Sequence, residues 1–483
     1  MNIDWNILGI TFVAVDLLLK IIFLFYVPRG RRPSSAMAWL LAIFLLPYIG
    51  VIVFLLIGSP KLSRRRRGYQ TVINHMLTAS AESETAATYT LSPEHQERYG
   101  AIINQNMMLS KLPARYGNKL TIIDDYSEIL ASMVRDIDAA KHHVYLQYYA
   151  MALDSATRPI FQALEAAIGR GVAVYVLFDS YGSRSYKNYT LMKRELTRMG
   201  ATWHPILPLD LRPSRYNRPD LRNHRKITVI DTHIAYIGSL NLIERSYERT
   251  DAIYYDELAV RGVGPIAHQA TAVFAGDWYS ECGEAPGDML PPTPLSIRKK
   301  GTLAQLLPSG PAYENENNLQ LFVTLLYAAK KRVVITNPYF VPEESLLRAV
   351  TSAVHRGVEV ILINSEAKDQ WMVGHAQRSY YDQLLRAGVI IYLHRAPLLL
   401  HSKHITIDDD IAVIGSSNMD IRSFQLNHEC VVIAYDKKVV AKLQAVQTKN
   451  IAHSKRVTLS AWRKRTFMKN MVDSLMRLTS ALQ

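Results

Sequence analysis

The chain has 483 residues, of which 49% are apolar, with 56 Lys and Arg against 42 Asp and Glu for a net charge of +14. That length holds two domains, and the positive balance points to an anionic partner, either nucleic acid or an acidic membrane surface. Two cysteines, Cys282 and Cys430, exclude a disulfide framework and a thiolate metal cluster.

In chain order, residues 7–27 and 36–57 are two apolar runs, each close to the ~20 residues that cross a bilayer as a helix. Asp16 and Lys20 interrupt the first at i, i+4, where they neutralise each other on one face. Pro47 and Gly50 in the second are tolerated in membrane helices. No basic region precedes the first run and Pro28-Arg29-Gly30-Arg31-Arg32 follows it, which argues against a cleaved signal peptide. Residues 1–60 are therefore predicted to be a two-helix, multi-pass membrane hairpin. The larger basic cluster, Lys61 with Arg64 to Arg67, adjoins the main body and puts that body in the cytoplasm; Arg29, Arg31 and Arg32 in the short loop pull the other way.

Residues 61–117 are polar, lack sustained periodicity and read as a linker. Two similar halves follow, 118–300 and 301–453. Ala139-Ala140-Lys141 leads into the strand-like Val144-Tyr145-Leu146-Gln147-Tyr148-Tyr149, and Ala328-Ala329-Lys330 into Val333-Val334-Ile335-Thr336. Arg170-Gly171-Val172 and Arg356-Gly357-Val358 each close a helix-like stretch and open another strand. This alternation marks an α/β fold. Residues 454–483 form a basic, amphipathic tail in which Lys455, Arg456, Arg463, Lys464, Arg465 and Lys469 alternate with Trp462, Phe467, Met468, Met471, Leu475 and Met476. It suits a helix lying on an anionic membrane or one packed on the body.

Each half carries H-x-K-x4-D-x6-G-S-x-N. The first copy is His224, Lys226, Asp231, Gly238, Ser239 and Asn241; the second is His401, Lys403, Asp408, Gly415, Ser416 and Asn418. Two such phrases can place a histidine on either side of one phosphodiester, as nucleophile and as acid. Period-two geometry puts each lysine on the side of its histidine. Asp231 and Asp408 lie at an odd offset of seven, facing away and ~23 Å along a straight strand, so both are expected to be structural turn residues. Glu257 and Glu429, in strand-like stretches after each Gly-Ser-x-Asn, are the expected partners that orient the imidazoles.

The paired motifs resemble the phospholipase D superfamily. Together with the apolar N-terminus and Tyr339-Phe340-Val341-Pro342, they resemble its bacterial cardiolipin synthases. The resemblance implies an α/β fold of two similar phospholipase D-like halves with a pseudo-two-fold shared active site, behind a transmembrane helical hairpin in the inner membrane. It places His224, Lys226, Asp231, His401, Lys403 and Asp408 in the catalytic motif, with His224 as nucleophile and His401 as general acid and base. Lys226, Ser239, Asn241, Lys403, Ser416 and Asn418 are then expected to hold phosphate. It implies phosphatidyl transfer from one phosphatidylglycerol to another through a phosphohistidine, giving cardiolipin and glycerol, with no metal and no cofactor. Anionic lipids are the expected partners and nucleic acid is not; the oligomeric state is open. The alternatives are a phospholipase D or phosphatidyltransferase using water or another alcohol, a nucleic-acid phosphodiesterase with the same motif, and a scaffold that keeps the fold without activity. Arg212, Arg215, Arg218 and Arg222, just before His224, are expected either to form a basic lip for headgroups or to be a solvated loop.

Overall fold

The computed structural model describes residues 5–59, 62–70, 72–73, 91–210, 212, 216–284 and 300–480. Helix α1, Trp5–Tyr26, spans 22 residues, and its Gly9–Tyr26 stretch has a mean hydropathy of 2.1, long and apolar enough to cross a membrane. The second apolar run departs from the expected single span. It forms α2, Pro33–Leu45, and α3, Pro47–Ile57, broken at Leu46 (φ −133°, ψ 71°). Pro47 has no N–H to continue the helix and its ring excludes the preceding residue from helical geometry. Among the described residues one helix, α1, reaches spanning length.

The stretch expected to be a linker enters the body well before residue 117. Helix Pro93–Ser110, capped by Ser92, buries Tyr99, Ile102 and Ile103. These pack with Leu307, Phe322 and Leu325 in the core of the second half.

The first half contributes strands β1 (Arg115–Ile123), β2 (His143–Tyr148), β3 (Ala173–Asp179), β4 (Thr202–Ile206), β5 (Ile227–Ile230), β6 (Ile234–Gly238) and β7 (Ala259–Val263). The second contributes β8 (Thr302–Ser309), β9 (Arg332–Thr336), β10 (Glu359–Ser365), β11 (Ile390–His394), β12 (His404–Ile407), β13 (Ile411–Gly415), β14 (Asn427–Tyr435) and β15 (Ser454–Val457). They join in one 16-stranded sheet ordered β15-β11-β10-β9-β12-β13-β14-β8-β1-β7-β6-β5-β2-β3-β4, with the short Arg222–Asn223 strand beside β14. From β1 and β8 outward the two arms have the same order. In each, three parallel strands carry crossover helices, and an antiparallel hairpin joins them to the centre. β1 pairs antiparallel with β8, and one core cluster takes Leu120, Ile237 and Val260 from one half with Leu306, Ile414 and Val432 from the other. The halves are thus fused through their sheet and through shared apolar burial.

The C-terminal tail closes the second arm. β15 pairs with β11, and helix Phe467–Leu478 turns its one acid inward: buried Asp473 accepts from His375 Nδ1 and Arg465 Nη2, each at 2.6 Å. Phe467, Met468, Leu475 and Leu478 face outward. The helix is therefore packed on the body and keeps an exposed apolar face.

Candidate active site

The spacing H-x-K-x4-D-x6-G encodes a β-hairpin. Ile227 to Ile230 and Ile234 to Gly238 are its two strands, Asp231 sits at its closed end, and His-x-Lys and Ser-x-Asn flank its open end. β12 and β13 repeat the arrangement around Asp408. Both aspartates take left-handed backbone conformations, φ 51° and 48°, as short polar side chains can in turns. The Asp231 carboxylate accepts from the backbone N–H groups of Lys141, His142 and His143 at 2.8–3.0 Å. Asp408 does the same for Lys330, Lys331 and Arg332. Each ties the hairpin turn to the start of its neighbouring strand, and the structure brings neither aspartate to the histidines.

At the open end, the motif glycines admit the neighbouring strand. A Cβ on Gly238 would lie 2.2 Å from Leu258 O, and one on Gly415 the same distance from Cys430 O. This close approach lets the next residue reach across. Ser239 Oγ donates to Glu257 Oε2 and Ser416 Oγ to Glu429 Oε2, both at 2.5 Å. The glutamates then reach into the opposite half: Glu429 Oε1 meets His224 Nδ1 at 2.9 Å, and Glu257 Oε1 meets His401 Nδ1 at 2.8 Å. Backbone pairing fixes the crossing. Arg222–Asn223 runs parallel to the start of β14, with His224 N donating to His428 O at 2.8 Å. Tyr254–Asp256 runs parallel to Leu398–Leu400, with His401 N donating to Asp256 O at 2.8 Å. Neither histidine can be oriented without the other half.

The lysines lie just before the strands, not within them, and each is held beside its own histidine. Lys226 Nζ donates to His224 O at 2.8 Å and Lys403 Nζ to His401 O at 2.5 Å. Both are at most 3% exposed. Burial lowers Lys226 to about 7 and Lys403 to about 8, against the attraction of the two glutamates. Each histidine therefore has beside it a buried amine whose charge is poorly solvated.

The two histidines are not equivalent. Burial, reinforced by the charges of Lys226, Lys403, His401 and Arg422, holds His224 well below the ordinary imidazole range. Burial lowers His401 too, but the charge of Glu257 pulls it back. Burial also pushes Glu429 up, opposed by the charge of Lys226 and by the Ser416 hydroxyl. For Glu257 the same burial is outweighed by His401, Lys403 and the Ser239 hydroxyl, which hold it down to about 2. Tyr247 adds to the difference by donating its hydroxyl to Glu257 at 2.8 Å. The corresponding position in the second half is Phe424. Burial thus lowers both imidazoles, His224 the further, while the carboxylate facing His401 is held ionised by its neighbours.

Several expected phosphate ligands are committed elsewhere. The Ser239 and Ser416 hydroxyls serve the glutamates, because the glycine approach aims them there. Asn241 accepts from Ala150 N at 3.1 Å and donates to Tyr247 Oη at 3.0 Å, so it braces the loop that carries Tyr247. Asn418 is buried with Oδ1 lacking a hydrogen-bond partner. The arginine lip is likewise taken up: Arg212 pairs with Asp210, Arg218 with Asp220, and buried Arg222 with Asp179. Arg215 lies outside the described residues. Two aromatics that motif spacing does not reveal lie against the histidines, and Tyr339 joins one of them through a shared acid. Tyr149 presents to His224 with ring centroids 5.0 Å apart, and Tyr255 to His401 at 5.2 Å. Tyr339 donates to Asp369 at 2.5 Å, as does Tyr255 at 3.0 Å.

Comparison with known proteins places this geometry in a family. The model described as "Cardiolipin synthase, PLD-like domain" matches residues 133–278 and 322–449, and "Phospholipase_D-nuclease N-terminal" matches 18–59. Cardiolipin synthase A of Proteus mirabilis (strain HI4320) is 31% identical over 466 residues, 95% of each chain. That of Serratia proteamaculans (strain 568) is 32% identical over 464 residues, 94% of each. The solved structure of phosphatidylserine synthase from Haemophilus influenzae Rd KW20 shares the fold, with a TM-score of 0.60 at 16% identity, covering 79% of this chain and 97% of that one. With both halves, both motifs and the N-terminal segment matched, the chain belongs to the cardiolipin synthase family of the phospholipase D superfamily, a family of phosphatidyltransferases.

Proposed function

We propose that the enzyme joins two phosphatidylglycerol molecules into cardiolipin and releases glycerol, working at the inner membrane with its body on the cytoplasmic side. The observation that carries this reading is the crossed pair of histidines, each held at Nδ1 by a glutamate and flanked by a buried lysine. The pair supplies a nucleophile and a separate acid around one phosphorus, and the relatives named above select the lipid.

His224, neutral and with its Nδ1–H donated to Glu429, attacks the phosphorus through Nε2. The bond from phosphorus to the glycerol oxygen breaks, and His401 gives its Nε2 proton to that oxygen. Lys226 and Lys403 take up the negative charge that builds on the non-bridging oxygens. His401, now neutral, removes the proton from a hydroxyl of the second phosphatidylglycerol. That oxygen attacks phosphorus, the phosphorus–nitrogen bond to His224 breaks, and cardiolipin leaves. Burial of all four motif side chains keeps competing water scarce.

Given phosphatidylglycerol alone, the purified enzyme is expected to yield cardiolipin and glycerol in equal amounts by mass spectrometry. Phosphatidic acid as the main product would make it a hydrolase, and DNA cleavage without lipid turnover would overturn the lipid reading altogether. The lysines set a pH dependence. They act only while protonated, and in the free enzyme they lose the proton near 7 and 8. Accordingly kcat/KM is expected to fall as pH rises through that range. In Lys226→Arg the guanidinium stays charged, so the alkaline limb should move upward even though the rate drops.

A further inference from the structure

The N-terminal segment contains an ion pair that two membrane crossings would not permit. Arg32, in the loop between α1 and α2, reaches the catalytic body: Nη2 lies 2.5 Å from Glu316 and Nη1 3.1 Å from Glu343. If the second apolar run were a span, this loop would lie on the far face of the bilayer, ~30 Å of hydrocarbon away. The far end of the run is at the body as well, with Tyr216 Oη donating to Leu56 O at 2.8 Å.

Helices α2 and α3 fold back on each other. The Trp39 and Phe54 rings are 5.4 Å apart. Near the bend the backbones meet so closely that a Cβ on Gly50 would lie 2.7 Å from Ala42 O and 2.8 Å from Ile43 Cα. At the mouth, Arg31 Nε donates to Gly58 O at 3.3 Å and its guanidinium sits 4.6 Å from the Phe54 ring centre. The arms are 13 and 11 residues long, or ~20 and ~17 Å, short of the ~30 Å hydrocarbon core. Helix α1 runs alongside, touching the mouth through Phe23 and Phe54 (5.5 Å) and the tip through Phe12 and Tyr48 (5.0 Å). At ~33 Å it is long enough to cross.

We propose that residues 33–57 form a re-entrant hairpin, which dips into the bilayer from the side of the body and returns to it, so that α1 alone crosses. The outward residues Met37, Leu41, Leu45, Ile49, Ile52 and Leu55 are exposed on the hairpin and meet lipid chains. At the bend Leu46 N donates to Ala42 O, Gly50 N donates to Leu46 O, and Pro47 has no N–H to satisfy, which limits the backbone polarity presented to hydrocarbon. Charge supports the arrangement independently. In a two-span hairpin, Arg29, Arg31 and Arg32 oppose Arg64 to Arg67 across the membrane. In a re-entrant one all seven lie on the side of the body, where anionic headgroups attract them and the positive-inside rule is obeyed throughout.

The two arrangements put the N-terminal end of α1 on opposite sides. The full chain is to be expressed with an N-terminal epitope tag, carrying either Arg29→Cys or, as a marker of the body, Lys437→Cys; the parent chain with its Cys282 and Cys430 supplies the blank. Sealed spheroplasts and inverted vesicles are treated with a membrane-impermeant maleimide and with protease. The expected result is that Arg29→Cys and Lys437→Cys react from the same side while the tag is cut from the other. Labelling of Arg29→Cys from the side opposite Lys437→Cys, or a tag cut from the side of the body, overturns the proposal. If Arg29→Cys fails to react from either side, the tag decides alone. The readout is topology and does not depend on which lipid the enzyme makes.

Discussion

Given a phosphatidyl ester of p-nitrophenol, the His401→Ala enzyme is expected to release one equivalent of p-nitrophenol and then stall with lipid bound to His224, whereas His224→Ala releases none. The difference follows from the roles proposed for the two histidines. Burial among cations keeps His224 neutral and its Nδ1 is engaged by Glu429, leaving Nε2 as the attacking atom. His401 faces an ionised Glu257, which stabilises the imidazolium an acid requires. Nitrophenolate leaves as a stable anion and needs no proton, so the first step survives loss of the acid. The second step does not, because the incoming alcohol has no base. With phosphatidylglycerol both variants fail: His401→Ala by roughly 10²–10⁴-fold, and His224→Ala on the order of 10⁶-fold, the scale of losing a covalent nucleophile. A burst from His224→Ala and none from His401→Ala would exchange the two roles. Stoichiometric bursts from both would remove the shared site.

Much of this site was legible in residue order. Asp231, between two β-branched runs, was legible as a turn residue and sits at the closed end of the hairpin; strand parity does not reach His224 and Lys226, which precede the strand. The glutamates were legible as acids on a later strand. That each serves the other half was not, because the crossing is produced by parallel pairing of Arg222–Asn223 with β14 and of Tyr254–Asp256 with Leu398–Leu400, and pairings between distant segments leave no periodicity behind. Ser239 and Ser416 were misread for a related reason. The family resemblance assigns these hydroxyls to phosphate, but the approach allowed by Gly238 and Gly415 turns them to the glutamates. Tyr247 carried no signal at all, since its role depends on a loop braced by Asn241. The second apolar run shows the limit of hydropathy. Composition fixed a membrane-compatible segment, and Pro47 with Gly50 turned it from one span into two short arms.

The crossed pairing makes a second prediction with a large effect. Glu429→Gln should impair formation of the phosphohistidine, by roughly 10²–10⁴-fold, although Glu429 lies in the half that does not carry the nucleophile. A carboxylate accepts the Nδ1–H and so leaves the Nε2 lone pair free. An amide can instead present its NH₂ to Nδ1, which moves the proton to Nε2 and silences the attack. Glu257→Gln disturbs His401 in the same way, so with the nitrophenyl donor it should keep the burst and lose turnover. Asp231→Asn marks the contrast: it weakens the tie to Lys141, His142 and His143 and should lower the melting temperature while leaving kcat of the folded fraction near that of the parent. Single-turnover kinetics of the three variants, with a melting curve for each, separates these outcomes. If Glu257→Gln abolished the burst and Glu429→Gln spared it, each glutamate would be serving the histidine of its own half, unless the His→Ala variants had also exchanged behaviour. The two experiments together therefore distinguish a wrong pairing from a wrong assignment of roles. An effect of Asp231→Asn on the burst as large as that of Glu429→Gln would mean that the hairpin turn communicates with the histidine through the strand that β2 and β6 flank.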